Sequence, residues 1–222
     1  IIFSDDFDSS YLSDHWTVLN PSTELLHADG EDLVLVTKRS SLADGDVPNL
    51  LVLEHEAIGG DYSVSVELGS VFSTGKLGKA KQKTGLLLYR DKKNYLGLIV
   101  SNVNRDTFPK CKETECRQVV QLELIKVLKG VPTRIGSPFR LAWQPPDSRS
   151  MKTRFDVHLE IDRIGFIYVA HVAIEGEVWY ELGRVPFYGS RLNPAIFASS
   201  NLDYPYALVQ FENIVIRESG VK

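Results

Sequence analysis

The chain has 222 residues, of which 43% are hydrophobic and 24% charged, and this composition is typical of a soluble globular protein rather than a disordered, collagen-like or coiled-coil chain. No apolar run approaches the roughly 20 residues that a membrane-spanning helix needs. The net charge of −4 argues against a nucleic-acid-binding protein, because phosphate contacts need a basic face. A chain that begins with Ile1 rather than Met is expected to be a mature or trimmed fragment.

An alternation of apolar and polar residues with a period of two runs along almost the whole chain and predicts β-strands. In chain order the predicted strands are 33–37, 62–68, 85–89, 95–100, 119–125, 139–143, 154–161, 166–172, 195–198 and 208–216. Turn-forming residues separate many of them, at 28–30, 44–46, 59–61, 91–94, 145–147, 174–177 and 193–194. Sustained helical spacing, repeats and linkers are all absent from the sequence. We therefore expect an all-β sandwich or barrel formed by one domain that spans 1–222.

Charge is distributed unevenly along the chain. Residues 1–32 contain eight acidic side chains and no Lys or Arg, whereas residues 76–93 contain seven basic side chains and the single acid Asp91. The basic segment is interpreted either as a solvated loop or as a contact for an anionic glycan or lipid.

The two cysteines, Cys111 and Cys116, lie in a polar segment and predict a small-loop disulfide. Free cysteines usually lie in the core, whereas these two are surrounded by charged residues. A disulfide would place the protein in an oxidising compartment. The alternative is a pair of free thiols in a cytosolic loop. A zinc site is not indicated, because the sequence has no second pair of ligands at a suitable spacing.

Several segments, in the right order along nearly the whole chain, resemble the concanavalin A-like lectin/glucanase superfamily. They are the opening segments 3–8 and 12–16, the strands 60–66 and 84–96, the hairpin 163–183 and the closing strands 195–198 and 209–216. The resemblance is closest to non-catalytic modules, which include sandwich domains of β-xylosidases, levan-type carbohydrate-binding modules and laminin-G-like domains. It implies an all-β, two-sheet antiparallel jelly-roll sandwich in which the last strand returns beside the first. Trp16, Phe7 and Phe211 are expected in its core.

Catalytic members of this superfamily carry Glu-x-Asp-x-x-Glu or Glu-x-Asp-x-Glu on one strand, which places carboxylates on one face. Glu160 and Asp162 begin that pattern, but Ile164 and Gly165 stand where a third carboxylate would be. The same alternation is also expected of a half-solvated strand. Glu160 and Asp162 are therefore weak catalytic candidates, and we expect no catalysis.

Related jelly rolls often carry a structural calcium ion built from carboxylates near the first and last strands. The resemblance implies such a site here, with Asp5, Asp6 and Glu212 as candidate ligands, because acids near both chain ends meet only if those strands pair. Solvated acids or turn caps are the alternative.

Carbohydrate recognition uses aromatic rings that stack on sugar C–H surfaces and flanking groups that hydrogen-bond to hydroxyls. The candidates on predicted strands or rims are Tyr89, Arg90, Tyr95, Trp143, His171 and Trp179. Packing is the alternative role for each.

The function expected from these observations is a non-catalytic, lectin-like glycan-binding module of an extracellular, periplasmic or cell-envelope protein. A glycoside hydrolase of the same fold is the first alternative, and a protein–protein adhesion or assembly domain is the second. Carbohydrate is the expected partner, a protein partner is the alternative, and neither nucleic acid nor a membrane span is expected.

Overall fold

The computed structural model describes residues 1–28, 30–54, 60–71, 81–103, 118–143, 154–174, 178–188, 191–201 and 208–219. The side chains at positions 70, 71, 118, 142, 143 and 154 are not part of that description. Within the described ranges the regular structure consists of fifteen β-strands, so the predicted all-β class is confirmed. The described part of the chain contains no helix long and apolar enough to cross a membrane.

The strands form two antiparallel sheets. The first sheet has eight strands in the order β13-β12-β11-β6-β15-β4-β3, with β1 also pairing β15. Its strands are β1 (Phe3–Asp5), β3 (Leu26–Ala28), β4 (Leu33–Val36), β6 (Tyr62–Val71), β11 (Arg154–Ile164), β12 (Ile167–Ile174), β13 (Trp179–Pro186) and β15 (Leu208–Glu218).

The second sheet has seven strands in the order β10-β9-β8-β7-β14-β5-β2. Its strands are β2 (Trp16–Leu19), β5 (Leu50–Leu53), β7 (Gln82–Asp91), β8 (Asn94–Val103), β9 (Gln118–Leu128), β10 (Val131–Trp143) and β14 (Asn193–Ser200).

The inner faces of the two sheets share one hydrophobic core. Alternate residues from both sheets enter it, for example Val64, Leu159 and Leu86, which are fully buried. The predicted core positions Phe7, Trp16 and Phe211 are buried there. The predicted return of the last strand beside the first is also confirmed, since Phe3 pairs with Ile216 and Asp5 with Ile214. The architecture is the two-sheet sandwich that the concanavalin A-like resemblance implies.

The outer faces of the two sheets differ. On the first sheet, β6 and β11 alternate between buried apolar and partly exposed polar residues, as expected for a sheet with one solvated face. On the second sheet, Leu87, Ile99 and Phe197 point away from the shared core and form a second buried cluster with the segment that contains Leu42 and Val47. The central strands of the second sheet are therefore buried on both faces, which explains their near-continuous apolar sequences.

Asp5 links β1 to the segment that leads into β2. Its Oδ1 accepts a hydrogen bond from Phe7 N (3.0 Å), and its Oδ2 accepts one from Ser13 Oγ (3.3 Å) and one from Trp16 Nε1 (2.8 Å). Trp16 is 7% exposed, so the indole N–H depends on this carboxylate for its hydrogen bond.

We expect Asp5→Ala to lower the free energy of unfolding by about 2–3 kcal/mol, because it leaves the Trp16 indole N–H and the Phe7 amide without their acceptor. Urea denaturation followed by tryptophan fluorescence measures the change. Asp8→Ala removes an exposed carboxylate in the same acidic segment and is expected to change stability by less than about 0.5 kcal/mol. Equal effects of the two substitutions would contradict this role of Asp5.

Candidate functional site

Three rows of side chains cross the outer face of the first sheet, because strand register brings residues from distant segments opposite one another. The first row runs Trp179–Ala173–His158–Glu67–Asn213, the second Glu181–His171–Glu160–Ser65–Val215, and the third Arg184–Val169–Asp162–Ser63–Arg217. Small side chains in the first two rows leave room between the larger polar ones.

A groove of about 230 Å³ lies over the first two rows. Its lining includes Glu67, His158, Glu160, Trp179 and Asn213. We call this feature the first-sheet groove. The Trp179 side chain is 48% exposed, which is unusual for so large an apolar group and leaves an indole surface accessible at the side of the groove.

One hydrogen bond and one contact between a histidine and a carboxylate hold the polar side of the groove in place. Glu67 Oε1 lies 3.3 Å from His158 Nε2, and Glu67 Oε2 accepts a hydrogen bond from Asn213 Nδ2 at 3.0 Å. The His158 ring in turn meets the Trp179 ring in an edge-on arrangement, with centroids 6.3 Å apart. These four side chains therefore form a connected set from the indole to the amide, and the set presents both hydrogen-bond donors and acceptors.

Glu160 differs from its neighbours because its carboxylate makes no hydrogen bond to any described residue. Burial, followed by the nearby Asp162 carboxylate, raises its pKa above the usual value for Glu. His171 and Arg217 act in the opposite direction and lower it. The protonated form of Glu160 therefore persists to higher pH than in a solvated glutamate.

His171 faces Asp162 from the adjacent strand, with Nδ1 at 3.2 Å from Oδ2. The Nδ1 atom is shielded from solvent, and the approach does not have the geometry of a good hydrogen bond. Contact with Asp162 at hydrogen-bonding distance raises the His171 pKa, burial opposes that effect, and the Asp162, Glu160 and Glu181 charges raise it further. The imidazolium form is therefore favoured by the surrounding carboxylates.

Glu160, Asp162 and His171 form a group whose ligand atoms all lie within 4.8 Å of one another. One imidazole nitrogen with two carboxylates is a donor set that suits Zn²⁺ and similar cations, whereas Ca²⁺ prefers oxygen ligands alone. Among the described residues this is the group with the spacing to hold a metal ion.

The contribution of His171 to stability is expected to depend on pH. Because its pKa is raised in the folded state, the stabilisation is fully present below about pH 6.5 and is lost as pH rises through the folded-state pKa. His171→Gln should therefore destabilise the protein more at about pH 6 than at about pH 8.5, as measured by urea denaturation at both values. His27→Gln, at an exposed position on β3, is the control. A loss that stays constant or grows with pH would contradict the expectation.

The structure brings together four of the residues singled out in the sequence. Glu160, Asp162 and His171 lie side by side on β11 and β12, and Trp179 lies at the edge of the same face on β13.

Tyr89 and Tyr95 lie on the outer face of the second sheet, where they are only 8% and 6% exposed and their ring centroids are 6.3 Å apart. Arg90 is exposed at the end of β7, with its Nε 3.2 Å from Asp91 Oδ2. Trp143 ends β10, and its side chain lies outside the described part of the structure.

The remaining predicted positions lie elsewhere. Asp5 and Glu212 are on the paired strands β1 and β15, and Asp6 is exposed just after β1. The carboxylate of Asp5 already accepts the three hydrogen bonds described above. Cys111 and Cys116, with their predicted disulfide, fall outside the described residues, as do residues 76–80 of the basic segment.

Sequence reasoning missed Glu67, Asn213 and Arg217 as members of the site. The period-two pattern places Glu67 on the polar face of β6 together with Ser63 and Ser65, so the outward direction of Glu67 could have been predicted from the sequence. Nothing in the sequence states that β6 lies between β11 and β15, and only that neighbourhood brings the three residues to one groove.

Comparison with known proteins gives matches in structure only. No protein-family model matches the sequence, and no curated protein matches it. The GH43 protein BlXynB from Bacillus licheniformis superposes with a TM-score of 0.69 at 17% identity, over 97% of this chain and 39% of that one. Xylan β-1,4-xylosidase from Bacillus halodurans gives a TM-score of 0.67 at 17% identity, over 97% of this chain and 39% of that one. The chain thus spans about two fifths of the length of these proteins.

One further structure matches over most of its own length. The exoplasmic/lumenal domain of VIP36, in its Ca²⁺- and Man3GlcNAc-bound form, superposes with a TM-score of 0.54 at 9% identity, over 94% of this chain and 85% of that one. At these identities the matches establish the fold, which is concanavalin A-like.

Proposed function

We propose that this concanavalin A-like sandwich is a non-catalytic glycan-binding module and that the first-sheet groove is its binding site. The observation that carries the proposal is the half-exposed indole of Trp179 beside the hydrogen-bonded set of His158, Glu67 and Asn213. An indole face offers a surface on which the C–H groups of a sugar ring stack, and the flanking polar groups match its hydroxyls.

The charges around the groove favour a neutral, hydroxyl-rich ligand. Glu67 and Glu160 supply acceptors, whereas His158, Asn213 and Arg217 supply donors. A sugar hydroxyl can therefore both donate and accept hydrogen bonds in the groove. Because the groove is open and small, it fits one or two sugar rings of a longer chain.

The structural matches support carbohydrate as the ligand class and suggest the first probes. Two of the matched proteins carry xylosidase or GH43 in their names, and the VIP36 domain was solved in a Man3GlcNAc-bound form. Xylo-oligosaccharides and mannose-containing oligosaccharides are therefore the first ligands to test. In line with the matched exoplasmic/lumenal domain of VIP36, we propose that the protein lies outside the cytosol, in an extracellular, periplasmic or cell-envelope location, either alone or as one domain of a larger protein.

A glycan array probed with the labelled chain tests the proposal, with calcium and then with a chelator present. We expect selective binding to one glycan class, with a micromolar to millimolar Kd confirmed by calorimetry for the best glycan. An array that stays silent under both conditions would overturn the proposal and direct the search to a protein partner.

A glycoside hydrolase is the second candidate function, and one observation favours it. The carboxylates of Glu160 and Asp162 approach within 4.8 Å, close to the separation of about 5 Å that retaining glycosidases use. The raised pKa of Glu160 suits a general acid, with Asp162 as the nucleophile. Turnover of aryl xylosides and aryl mannosides that disappears in Glu160→Gln, while the fold and glycan binding persist, would establish this function in place of the first.

A structural calcium ion near the chain ends is also part of the proposal. Asp6 and Glu212 are its main candidate ligands, because the Asp5 carboxylate is engaged by protein donors and has little capacity left for an ion. We expect millimolar calcium to raise the Tm by about 4 °C or more relative to chelator, and the double variant Asp6→Asn/Glu212→Gln to abolish the difference. An identical Tm in calcium and in chelator would contradict the site.

A further inference from the structure

A second, larger cavity lies on the opposite side of the molecule from the first-sheet groove. It has a volume of about 340 Å³ and lies between the outer face of the second sheet and the segment 40–43. Its floor is apolar and consists of Leu42, Tyr95, Ile99, Ile125 and Pro132. We call it the second-sheet cavity.

Polar groups form one side of the second-sheet cavity. Ser40, Ser41, Ser199, Ser200 and Asn201 contribute to its lining. Ser41 Oγ accepts a hydrogen bond from the Ala43 amide, which leaves the hydroxyl proton of Ser41 free to donate. Ser199 lies directly opposite Lys83 across the β14–β7 pair, so the two residues are neighbours on this face of the sheet, and both line the cavity.

The charge at the second-sheet cavity is positive and has no partner among the described residues. Lys81 and Lys83 both line the cavity and are exposed; Lys83 lies on β7, and Lys81 immediately precedes that strand. None of the described residues that line the cavity is an Asp or Glu. Neither ammonium group forms an ion pair with a described residue.

The nearest buried carboxylate on this face does not offset that charge. Glu123, which pairs with Ile99, is only 5% exposed and accepts hydrogen bonds from Arg134 Nε at 2.7 Å and from Gln121 Nε2 at 3.2 Å. Arg140 donates to Gln121 Oε1 at 2.8 Å, which adds a second guanidinium group to this hydrogen-bonded cluster. With two arginines and one glutamate, the cluster is itself net positive.

We propose that the second-sheet cavity binds an acidic sugar, a hydroxylated ring that carries a carboxylate. The carboxylate pairs with Lys81 and Lys83, the ring hydroxyls hydrogen-bond to the serines beside them, and the C–H face of the ring lies on the apolar floor. A volume of about 340 Å³ is near the lower limit of ligand sites, which agrees with a ligand of one or two rings. This site is separate from the first-sheet groove, and its failure would leave the proposal for that groove intact.

Calorimetric titration with methyl β-D-glucuronide and with methyl β-D-glucoside tests the site, because the two probes differ in the carboxylate. We expect the glucuronide to bind at least about tenfold more tightly, with an affinity that falls as salt is added. Lys81→Gln/Lys83→Gln should weaken glucuronide binding by about tenfold or more. Lys93→Gln, an exposed lysine of the β7–β8 turn, is the matched control and should leave binding unchanged.

A second variant tests the location of the ligand without changing charge. Ala43 is exposed at the cavity, so Ala43→Trp is expected to block the cavity without disturbing the core and to abolish glucuronide binding. Equal affinity for the two probes, no binding of either at about 10 mM, or glucuronide binding that survives both variants would each overturn the proposal.

Discussion

Gly85→Ala is expected to lower the free energy of unfolding by about 3 kcal/mol or more, the largest loss that we predict for a single added methyl group in this chain. Gly85 lies on the central strand β7 with a φ of 152°, a conformation that residues with a Cβ rarely adopt. A Cβ at this position would lie 2.1 Å from the carbonyl oxygen of Leu98 on the adjacent strand. That oxygen belongs to the backbone, so relief of the clash requires β7 and β8 to separate.

Urea or thermal denaturation measures the effect, and Gly165→Ala is the matched control. Gly165 also has a positive φ, of 63°, but a Cβ there would meet nothing within 4 Å. The control therefore carries only the conformational penalty of about 1–2 kcal/mol. If Gly85→Ala lowers the free energy of unfolding by no more than Gly165→Ala does, then β8 does not approach β7 as closely as the structure indicates.

Trp179→Ala is expected to weaken glycan binding by about thirtyfold or more, which corresponds to about 2 kcal/mol, without loss of stability. The side chain is 48% exposed, so the fold gains little from it, whereas the proposed site loses the surface on which the sugar ring stacks. Trp179→Phe should retain part of the affinity because it keeps an aromatic face. Calorimetry with the best glycan from the array measures all variants.

Tyr188→Ala is the control for the loss of an exposed aromatic ring. Tyr188 is 67% exposed and stacks on Phe166, with ring centroids 5.0 Å apart, at a position outside the groove. We expect this variant to bind glycan as the unmodified chain does. If Tyr188→Ala weakens glycan binding and Trp179→Ala does not, the glycan binds outside the first-sheet groove.

The two proposed sites lie on opposite outer faces of the sandwich. The first-sheet groove contains an exposed aromatic ring among acceptors and donors, whereas the second-sheet cavity has an apolar floor and two ammonium groups that form no ion pair with a described residue. A neutral glycan is therefore expected at the first-sheet groove and an acidic sugar at the second-sheet cavity. Titration of each ligand in the presence of the other would show whether the two bind independently.

Local patterning in the sequence was sufficient to predict the fold class and much of the core. The alternation of apolar and polar residues in β6 and β11 predicts both strands and the residues that face inward, because a side chain on a strand can reach only one of two faces. It also places Glu160 and Asp162 on one face. The return of the last strand beside the first was expected from the resemblance, and the pairing of Phe3 with Ile216 agrees with it.

Two of the pattern's omissions, strand β5 and the first part of β10, have a physical explanation. β5 (Leu50–Leu53) has no alternation because all four of its residues are buried, and a short apolar run does not distinguish a strand from a helix segment. β10 (Val131–Trp143) is much longer than the predicted strand 139–143, because its first half contains Pro132, Gly136 and Pro138, which normally indicate a break. At the edge of a sheet, such residues are tolerated.

Only the tertiary structure decided which polar residues share a site. Glu67, His158, Trp179 and Asn213 come from four strands, and their convergence depends on which strands are neighbours and in which register, both of which arise from long-range packing. Trp179 and Tyr95 lie on opposite outer faces of the sandwich, and the local sequence pattern did not predict this either. Alternation says that a residue faces outward or inward, but the assignment of each strand to a sheet follows from the burial of the whole chain.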